Sequence, residues 1–272
     1  MTALTTHLRD PGAGLSPHVG LRATLSQTMT LAWRATMKMR RNFEQLFDVT
    51  IQPLLFTAMF AGIFGGAVSG SVTGYLPVII PGLVGQTVLT ACVATGVQLR
   101  EDMDKGVFDR FKVLPISRIA PLAGPMVADM LRYAIASTLT FATGIALGYR
   151  PGGGVLGVAG AIVLGIVAGW SLAWIFTWFG TVGRTAQGVQ ATSLMVMFPL
   201  TFLSNAFVPT STMPGWLRAF ADANPVSHVI TAIRDLANNG QITADTGWAL
   251  LGCAAVVAIF APLSVRSFTR KM

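Results

Sequence analysis

The sequence predicts an all-α membrane protein with six transmembrane helices, and three observations lead to this fold class. Hydrophobic residues make up 53% of the 272 residues and charged residues only 11%, against roughly 25% charged residues in an average soluble domain. Six apolar stretches each reach the about 20 residues that a bilayer core requires. Basic residues are concentrated on one set of the connecting loops. An ordinary soluble enzyme and a disordered or collagen-like chain are therefore excluded.

The N-terminal region comes before the first apolar stretch. Residues 1–20 are rich in Thr, Gly and Pro and predict a flexible tail without the apolar core of a signal peptide. Residues 21–43 predict a helix with apolar and basic side chains on opposite faces, which is typical of a helix on the cytoplasmic membrane surface. The alternative is that this helix is only the cytosolic start of the first span. Residues 21–272 are expected to form one transmembrane domain.

The six predicted spans follow one another with short or moderate connections. Glycines inside them allow close helix packing, and prolines kink or bound them. The spans are Thr50–Val68, Tyr75–Leu99, Ile119–Gly148, Val155–Val182, Ala186–Val208 and Gly247–Val265.

The distribution of Lys and Arg predicts the orientation of these spans. Of the 19 basic residues, 15 fall on the N-terminal arm, on the loops after spans two and four, and on the C-terminal tail. Three fall on the alternate loops, and Arg132 lies within span three. By the positive-inside rule, both termini are cytoplasmic. This distribution accounts for the net charge of +8 without a nucleic-acid partner.

The loop after span two has the most informative composition. Residues 100–118 contain four acidic and five basic residues. Val107, Phe108, Phe111 and Leu114 recur at helical spacing, and Pro115 is expected to end the helix. A short helix with an apolar face and a charged rim can dock a soluble partner. It can equally be an inert loop whose charges fix topology, and the residues alone leave both readings open.

Several motifs resemble one family. The run from Glu101 to Arg118, E-D-x-x-x-G-x-F-D-R-x-x-x-L-P-I-S-R, resembles the cytoplasmic loop of type-2 ABC exporter permeases, in particular the daunorubicin-resistance DrrB-like group. The turn Gly148–Pro151 is similar to the one after that family's third span. Three further stretches resemble its fifth-span exit and external segment: Phe202–Pro209, Met213–Leu217 and Asn224–His228. The similarity covers most of residues 25–265 in the right order.

The resemblance implies a machine built from several subunits. It implies six spans with an N-terminal interfacial helix, a cytoplasmic coupling helix and short outer re-entrant helices. Two permeases, expected to be a homodimer, would pair with two ATP-binding subunits. The ATPase-coupling role falls on Asp104, Lys105, Gly106, Val107, Phe108, Asp109, Arg110, Phe111 and Leu114. No G-x-x-x-x-G-K-[ST] phosphate loop is present, so ATP and Mg belong to the partner, and this chain is expected to hold no catalytic residue, cofactor or metal.

Asp129 and Arg132 are two charged residues within the predicted third span. They stand three residues apart, on one helix face. Charges inside a membrane are costly and usually pair with each other or face a cavity. The spacing predicts an intramembrane ion pair, with a structural role preferred over a role in substrate binding or gating. No Asp, Glu, Lys, Arg or His occupies the middle of another span, which argues against a proton-driven carrier.

The segment 209–246 is predicted to lie outside the membrane and is amphipathic. Two short helices account for its pattern, with Pro214 and Pro225 in their first turns, and His228 is expected to have a capping or structural role. The family resemblance favours re-entrant helices that form an outer lid, while an ordinary outer loop is the alternative. The lid residues are Pro209, Met213, Pro214, Trp216, Leu217, Asn224 and Pro225.

The function that these patterns favour is the permease subunit of an ATP-driven exporter in the cell membrane. Its expected cargo is an amphipathic drug-like compound or a lipid, and membrane lipid surrounds it. The alternatives are export of a polysaccharide or lipid-linked precursor, and, in another class, a channel or scaffold without ATP coupling. The motifs specify the machine and leave the cargo unnamed.

Overall fold

The computed structural model describes residues 20–41, 43–108, 117, 119–208 and 213–271 of the chain. These residues form an all-helical fold. In chain order its helices are α1 (Leu21–Arg41), α2 (Phe43–Ser69), α3 (Val72–Asp104), α4 (Ala120–Ala146), α5 (Gly154–Val182), α6 (Ala186–Phe202), α7 (Gly215–Ala223), α8 (Pro225–Asn239) and α9 (Ala244–Lys271).

Helix α3 is the centre of the bundle, since α2, α4, α5, α6 and α8 all pack against it. Its apolar residues are spread around the helix rather than along one stripe, which is typical of a helix surrounded by others. Leu76, Ile79, Ile80 and Leu83 are each no more than 1% exposed. The core of the protein therefore runs along α3.

The contact between α3 and α5 depends on two glycines. A Cβ atom at Gly96 would lie 2.3 Å from the backbone oxygen of Phe176. A Cβ atom at Gly180 would lie 2.5 Å from the backbone oxygen of Gly96. Both distances are far below van der Waals contact, so only glycine allows the two backbones to approach this closely.

Polar caps set the ends of several helices. Ser71 Oγ accepts a hydrogen bond from Gly74 N at the start of α3, and Thr185 Oγ1 accepts one from Gly188 N at the start of α6, each at 3.1 Å. These side chains satisfy amide groups that the helix itself leaves open. Helix α8 ends at Gly240, whose φ of 66° is left-handed, a conformation that glycine adopts readily.

Three helices in the described part of the chain are long and apolar enough to cross a membrane, judged by length and composition. They are α3, α5 and residues Ala244–Arg270 of α9, while Thr50–Gly66 in α2 is a shorter apolar helix. Helix α4 carries two buried charged residues, and α6 has 17 residues. Three spans are therefore clear, and the full set of six stays a prediction.

Several predicted span boundaries differ from the ends of the helices. The fifth span was predicted as Ala186–Val208, but α6 ends at Phe202. Ser204 Oγ donates to Thr201 O at 2.5 Å and accepts from Ala206 N at 3.2 Å. This side chain competes with helical backbone bonds and stabilises a turn instead. Helix α9 is longer at both ends than the predicted sixth span, Gly247–Val265, so part of the predicted basic tail is helical.

Helix α1 packs along α4 on one side. Ala32 and Met39 are buried, and Leu31 lies against Gly124 of α4, where a Cβ atom would be 2.5 Å from Leu31 Cβ. A second apolar row points away from the protein, because Leu25, Met29 and Trp33 are each at least 65% exposed. Helix α1 therefore has an apolar face that no described part of the chain covers.

Candidate functional site

The predicted coupling segment begins where α3 ends. Helical hydrogen bonding continues to Lys105 N, which donates to Glu101 O at 2.9 Å. Gly106 then takes a left-handed φ of 65°, and residues 105–108 form a turn. The prediction of a helix from Asp104 is therefore wrong for residues 105–108, because the glycine ends it. Asp109, Arg110, Phe111 and Leu114 lie outside the described residues.

Phe108 holds this turn against the rest of the protein. Its ring packs edge-on against Phe268 of α9, with ring centroids 5.0 Å apart and planes at 83°. Leu99 and Leu122 complete the buried cluster around the two rings. The turn thus contacts the end of α9 and the start of α4.

Charged side chains surround the same region. Lys38 Nζ of α1 lies 2.8 Å from Asp102 Oδ1 of α3, and Lys105 Nζ lies 3.2 Å from Glu101 Oε2. Other polar contacts here are the ion pair of Arg100 with Asp104 and the hydrogen bond of 3.0 Å from Arg100 Nη1 to Gly183 O. We call this end of the bundle, formed by α1, residues 100–108 and the end of α9, the charged end.

The residues of the predicted intramembrane pair are close together in α4. Arg132 Nη1 lies 3.5 Å from Asp129 Oδ1, and both side chains are at most 10% exposed. Thr95 of α3 donates from Oγ1 to Asp129 Oδ2 at 2.6 Å, and Tyr133 Oη lies 3.5 Å from the same Thr95 oxygen. The carboxylate is thus held from two helices, which fits a structural role; that role stays a prediction.

A cavity of about 310 Å³ lies between α1, α3 and α4 at the charged end. Asp129 and Arg132 line it, and so do Val107 and Phe108 of the turn. Its volume is at the lower end of the range of about 300–1,000 Å³ that small-molecule pockets have. The cavity therefore connects the buried pair with the first part of the predicted coupling segment.

The two helices predicted for the outer segment are present as α7 and α8. Asn224 caps α8, since its Oδ1 accepts from Val226 N at 3.0 Å, and its Nδ2 donates to Leu200 O at 2.8 Å. Pro225 is the first residue of α8, as predicted. The apolar face of α8 is buried, whereas Trp216 on α7 is 71% exposed.

The other lid residues differ in how far they are described. Met213 and Leu217 are half-buried, Pro214 precedes the first residue of α7, and Pro209 lies outside the described residues.

Comparison with known proteins identifies the family. The family described as ABC-2 type transporter matches residues 26–237. The chain belongs to this family. It is 45% identical over 251 residues to the daunorubicin resistance ABC transporter permease protein DrrB1 of Streptomyces coeruleorubidus, covering 92% of this chain and 89% of that protein. It is 23% identical over 259 residues to the probable doxorubicin resistance ABC transporter permease protein DrrC of Mycobacterium tuberculosis, covering 94% and 92%.

As an ABC-2 permease, the chain is a membrane-embedded subunit of an ABC exporter. Permeases of this family work with a separate ATP-binding subunit. The permease provides the membrane-embedded part of the transporter. The matched region includes the turn at residues 105–108, the pair in α4, α7, and α8 as far as residue 237. The resemblance seen in the loop after span two is therefore confirmed at the level of the family.

A partly buried polar network in the ABC-2 permease was missed by sequence reasoning. Pro81 has no N–H group, so the carbonyl of Pro77, four residues earlier, has no helical donor. Asn238 Nδ2 of α8 supplies one at 2.9 Å, while Tyr149 Oη donates to Asn238 Oδ1 at 2.5 Å. Arg234 Nη2 donates to Val78 O at 3.2 Å. We call this end of the bundle, opposite to the charged end, the proline end.

Burial also affects the chemistry of the proline end. It raises the pKa of Tyr149 to about 12, so the phenol keeps its proton and remains a hydrogen-bond donor. A signal for this network existed in the sequence. Two prolines four residues apart in span two had to leave a carbonyl open, and Arg234 and Asn238 stand four residues apart on one face of α8.

His228 has partners that its sequence neighbourhood did not indicate. Its Nδ1 lies 2.8 Å from Asp245 Oδ1 of α9, and its Nε2 lies 3.0 Å from the backbone oxygen of Asp222 in α7. The histidine thus connects three helices of the permease. This geometry agrees with the structural role predicted for it, while Asp245 was not anticipated.

Proposed function

We propose that this permease is half of the membrane domain of an exporter that moves an amphipathic, drug-like compound or a lipid out of the cell. The observation that carries the proposal is the 45% identity, over 92% of the chain, to a permease named for daunorubicin resistance. A second relative is named for doxorubicin resistance. The assembly that we propose contains two copies of this chain and two ATP-binding subunits. Nucleotide and Mg bind to those subunits.

We further propose six spans, formed by α2, α3, α4, α5, α6 and α9, with both termini in the cytoplasm. The asymmetric distribution of Lys and Arg supports this topology. A 27-residue helix such as α4 is about 40 Å long, enough for a hydrocarbon core of about 30 Å. Pairing of Asp129 with Arg132 lowers the cost of placing α4 there. The exposed apolar row of α1 suits a helix lying on the inner membrane surface.

Accessibility of terminal tags tests the topology. Epitope tags at the N- and C-termini should be labelled only after cells are permeabilised. A tag placed after Gly153, between α4 and α5, should be labelled in intact cells. Labelling of a terminal tag without permeabilisation would contradict the orientation.

Coupling to the ATPase is assigned to the segment from Asp104 to Leu114. Support comes from its position, because the turn at 105–108 contacts α9 through Phe108 and directly follows α3, where Asp102 pairs with Lys38 of α1. Force applied to this segment would therefore reach three helices. At the proline end, α7 and α8 are proposed to form the outer lid. The exposed Trp216 and the amphipathic pattern of α7 suit a helix dipping into the outer leaflet.

Reconstitution tests the function as a whole. The permease should be co-expressed with an ABC ATPase encoded next to it, and daunorubicin accumulation measured in a drug-sensitive host. We expect lower accumulation that requires both subunits and disappears when the phosphate-loop lysine of the ATPase is replaced. Normal accumulation with a changed cell-surface polysaccharide would favour the other cargo class. Ion flux without any ATPase partner would contradict an ATP-driven exporter.

A further inference from the structure

The deepest part of the cavity at the charged end contains a hydrogen-bond donor, in the side chain of Arg132, that lacks an acceptor among the described residues. Arg132 is 4% exposed and lines the cavity. Among the described residues its Nε atom has no hydrogen-bond partner. Its Nη1 contact with Asp129 is 3.5 Å, longer than the about 2.7–3.2 Å of a good N–H···O bond. A buried guanidinium has five N–H donors, and the protein offers them few acceptors. It therefore requires an acceptor from elsewhere.

The exposure and charge of the other lining residues indicate what kind of molecule carries that acceptor. Side-chain exposure rises from 5% at Arg132 to 53% at Lys38 and 65% at Lys105, so the mouth lies at the two lysines. The lining includes four basic and two acidic residues, and its remaining members are mostly apolar. Asp129 Oδ2 already accepts a hydrogen bond from Thr95 Oγ1, whereas Arg132 Nε has no acceptor among the described residues, so the group that the cavity lacks is a hydrogen-bond acceptor rather than a cation.

We infer that this cavity binds the phosphate group of an anionic phospholipid from the cytoplasmic leaflet, with the oxyanion on Arg132 and the lysines at the mouth. Basic pockets between membrane helices on the cytoplasmic side suit anionic lipid headgroups. The acyl chains remain in the membrane. The lipid source rests on the proposed orientation, whereas the need of Arg132 for an oxyanion does not.

A bound headgroup would touch the coupling segment directly. Val107 and Phe108 form part of the cavity wall, and Phe108 is packed on Phe268 of α9. The lipid would therefore stiffen the turn through which the ATPase is proposed to act. In this role the lipid stabilises the turn and is not itself the exported molecule.

Photo-crosslinking in lipid nanodiscs tests the site. The full-length permease is placed in phosphatidylcholine discs that contain increasing amounts of a photoactivatable phosphatidylglycerol, and crosslinked peptides are located by mass spectrometry. We expect saturable crosslinks on α1 and α4. Arg132→Gln should raise the half-saturating fraction about tenfold, as loss of a charge-assisted bond implies. Asp129→Asn should lower it or leave it unchanged, since it frees the guanidinium.

Two further variants keep the test independent of folding. Ala35→Phe fills the cavity from α1, keeps the ion pair, and should abolish the saturable crosslink. Arg150→Gln is the matched control on an exposed arginine outside the cavity and should change nothing. All values are taken per folded protein in the disc, without any transport step, so a failure of export and a failure of binding are seen separately.

Three results would overturn the inference. One is equal crosslinking of Arg132→Gln and the unmodified protein, which would mean that the lipid phosphate is not bound through Arg132. Another is the reverse charge pattern, with binding lost in Asp129→Asn and strengthened in Arg132→Gln, because it would assign the cavity to a cation. The last is displacement of the lipid by inorganic phosphate at equal concentration, because it would assign the cavity to a soluble anion.

Discussion

The two ends of the permease hold their polar residues in different ways. At the charged end, Lys38, Asp102, Lys105 and Glu101 pair with one another as partly exposed ions. At the proline end, Asn238 donates instead to a backbone carbonyl that a proline leaves open. Exposed ion pairs contribute roughly 0–1 kcal/mol and exchange easily. Leaving a buried backbone group unsatisfied costs about 1–3 kcal/mol. We therefore expect the ion pairs of the charged end to rearrange easily and the hydrogen bonds of the proline end to persist.

The largest expected effect tests whether the charged end transmits force. Phe108→Ala removes the ring that holds the turn on Phe268. We expect this variant, and Arg110→Ala, to insert normally but to lose drug export or the bound ATPase. Export assays and pull-down of the ATPase measure this. Phe47→Ala, on a 42% exposed ring of α2, is the control. Normal export and normal pull-down in both variants would refute the coupling role.

The next effect concerns the buried pair of Asp129 and Arg132 in α4, which lies beside the charged end. Asp129→Asn alone and Arg132→Gln alone each leave an uncompensated charge in the membrane, at a cost of about 2.5–3.5 kcal/mol at the bilayer centre and less near its surface. Each should lower the amount of folded complex, measured by size-exclusion fluorescence. The double variant should recover much of that amount, with drug transport per folded complex roughly constant. A changed drug profile at normal abundance would place the pair on the transport path instead.

A smaller effect is expected at the proline end. Asn238→Ala removes the donor to Pro77 O and should destabilise the protein by about 1–3 kcal/mol. Thermal unfolding in detergent measures the loss. Asn239→Ala, on the exposed neighbouring residue, should stay within about 0.5 kcal/mol of the original protein. Equal melting temperatures for the two variants would remove the contrast between the ends.

The smallest stability effect is expected for the ion pair between α1 and α3. Lys38→Ala should change the free energy of unfolding by less than about 1 kcal/mol, because the lysine side chain is 53% exposed. Arg40→Ala, on the exposed side of the same helix, is the matched control. The small difference between them should shrink as salt is added. A large, salt-independent loss for Lys38→Ala would mean that the charged end is as fixed as the proline end.

The sequence predicted the helices well where an apolar run ended in charges or a cap. The fourth span, Val155–Val182, differs from α5 by one residue. The end of α6 was missed because the turn depends on the side chain of Ser204, which a hydropathy pattern does not register. The spacing of Asp129 and Arg132 predicted their proximity. Neither Thr95 nor the cavity beside them could be predicted, because both depend on how α1, α3 and α4 pack.

The glycine contact between α3 and α5 has a consequence for how the chain is made. Gly96 and Gly180 are separated by all of α4, about 80 residues of synthesis, or roughly 4–16 s at ribosomal speed. During that interval α3 is already synthesised, but the backbone groove that receives Phe176 is empty. We expect disulfide crosslinking of cysteines placed near these glycines to fail in nascent chains whose α5 is still inside the ribosome and to succeed in longer chains. The contact between α3 and α5 at the centre of the bundle therefore forms late in translation, well after α3 itself has been synthesised.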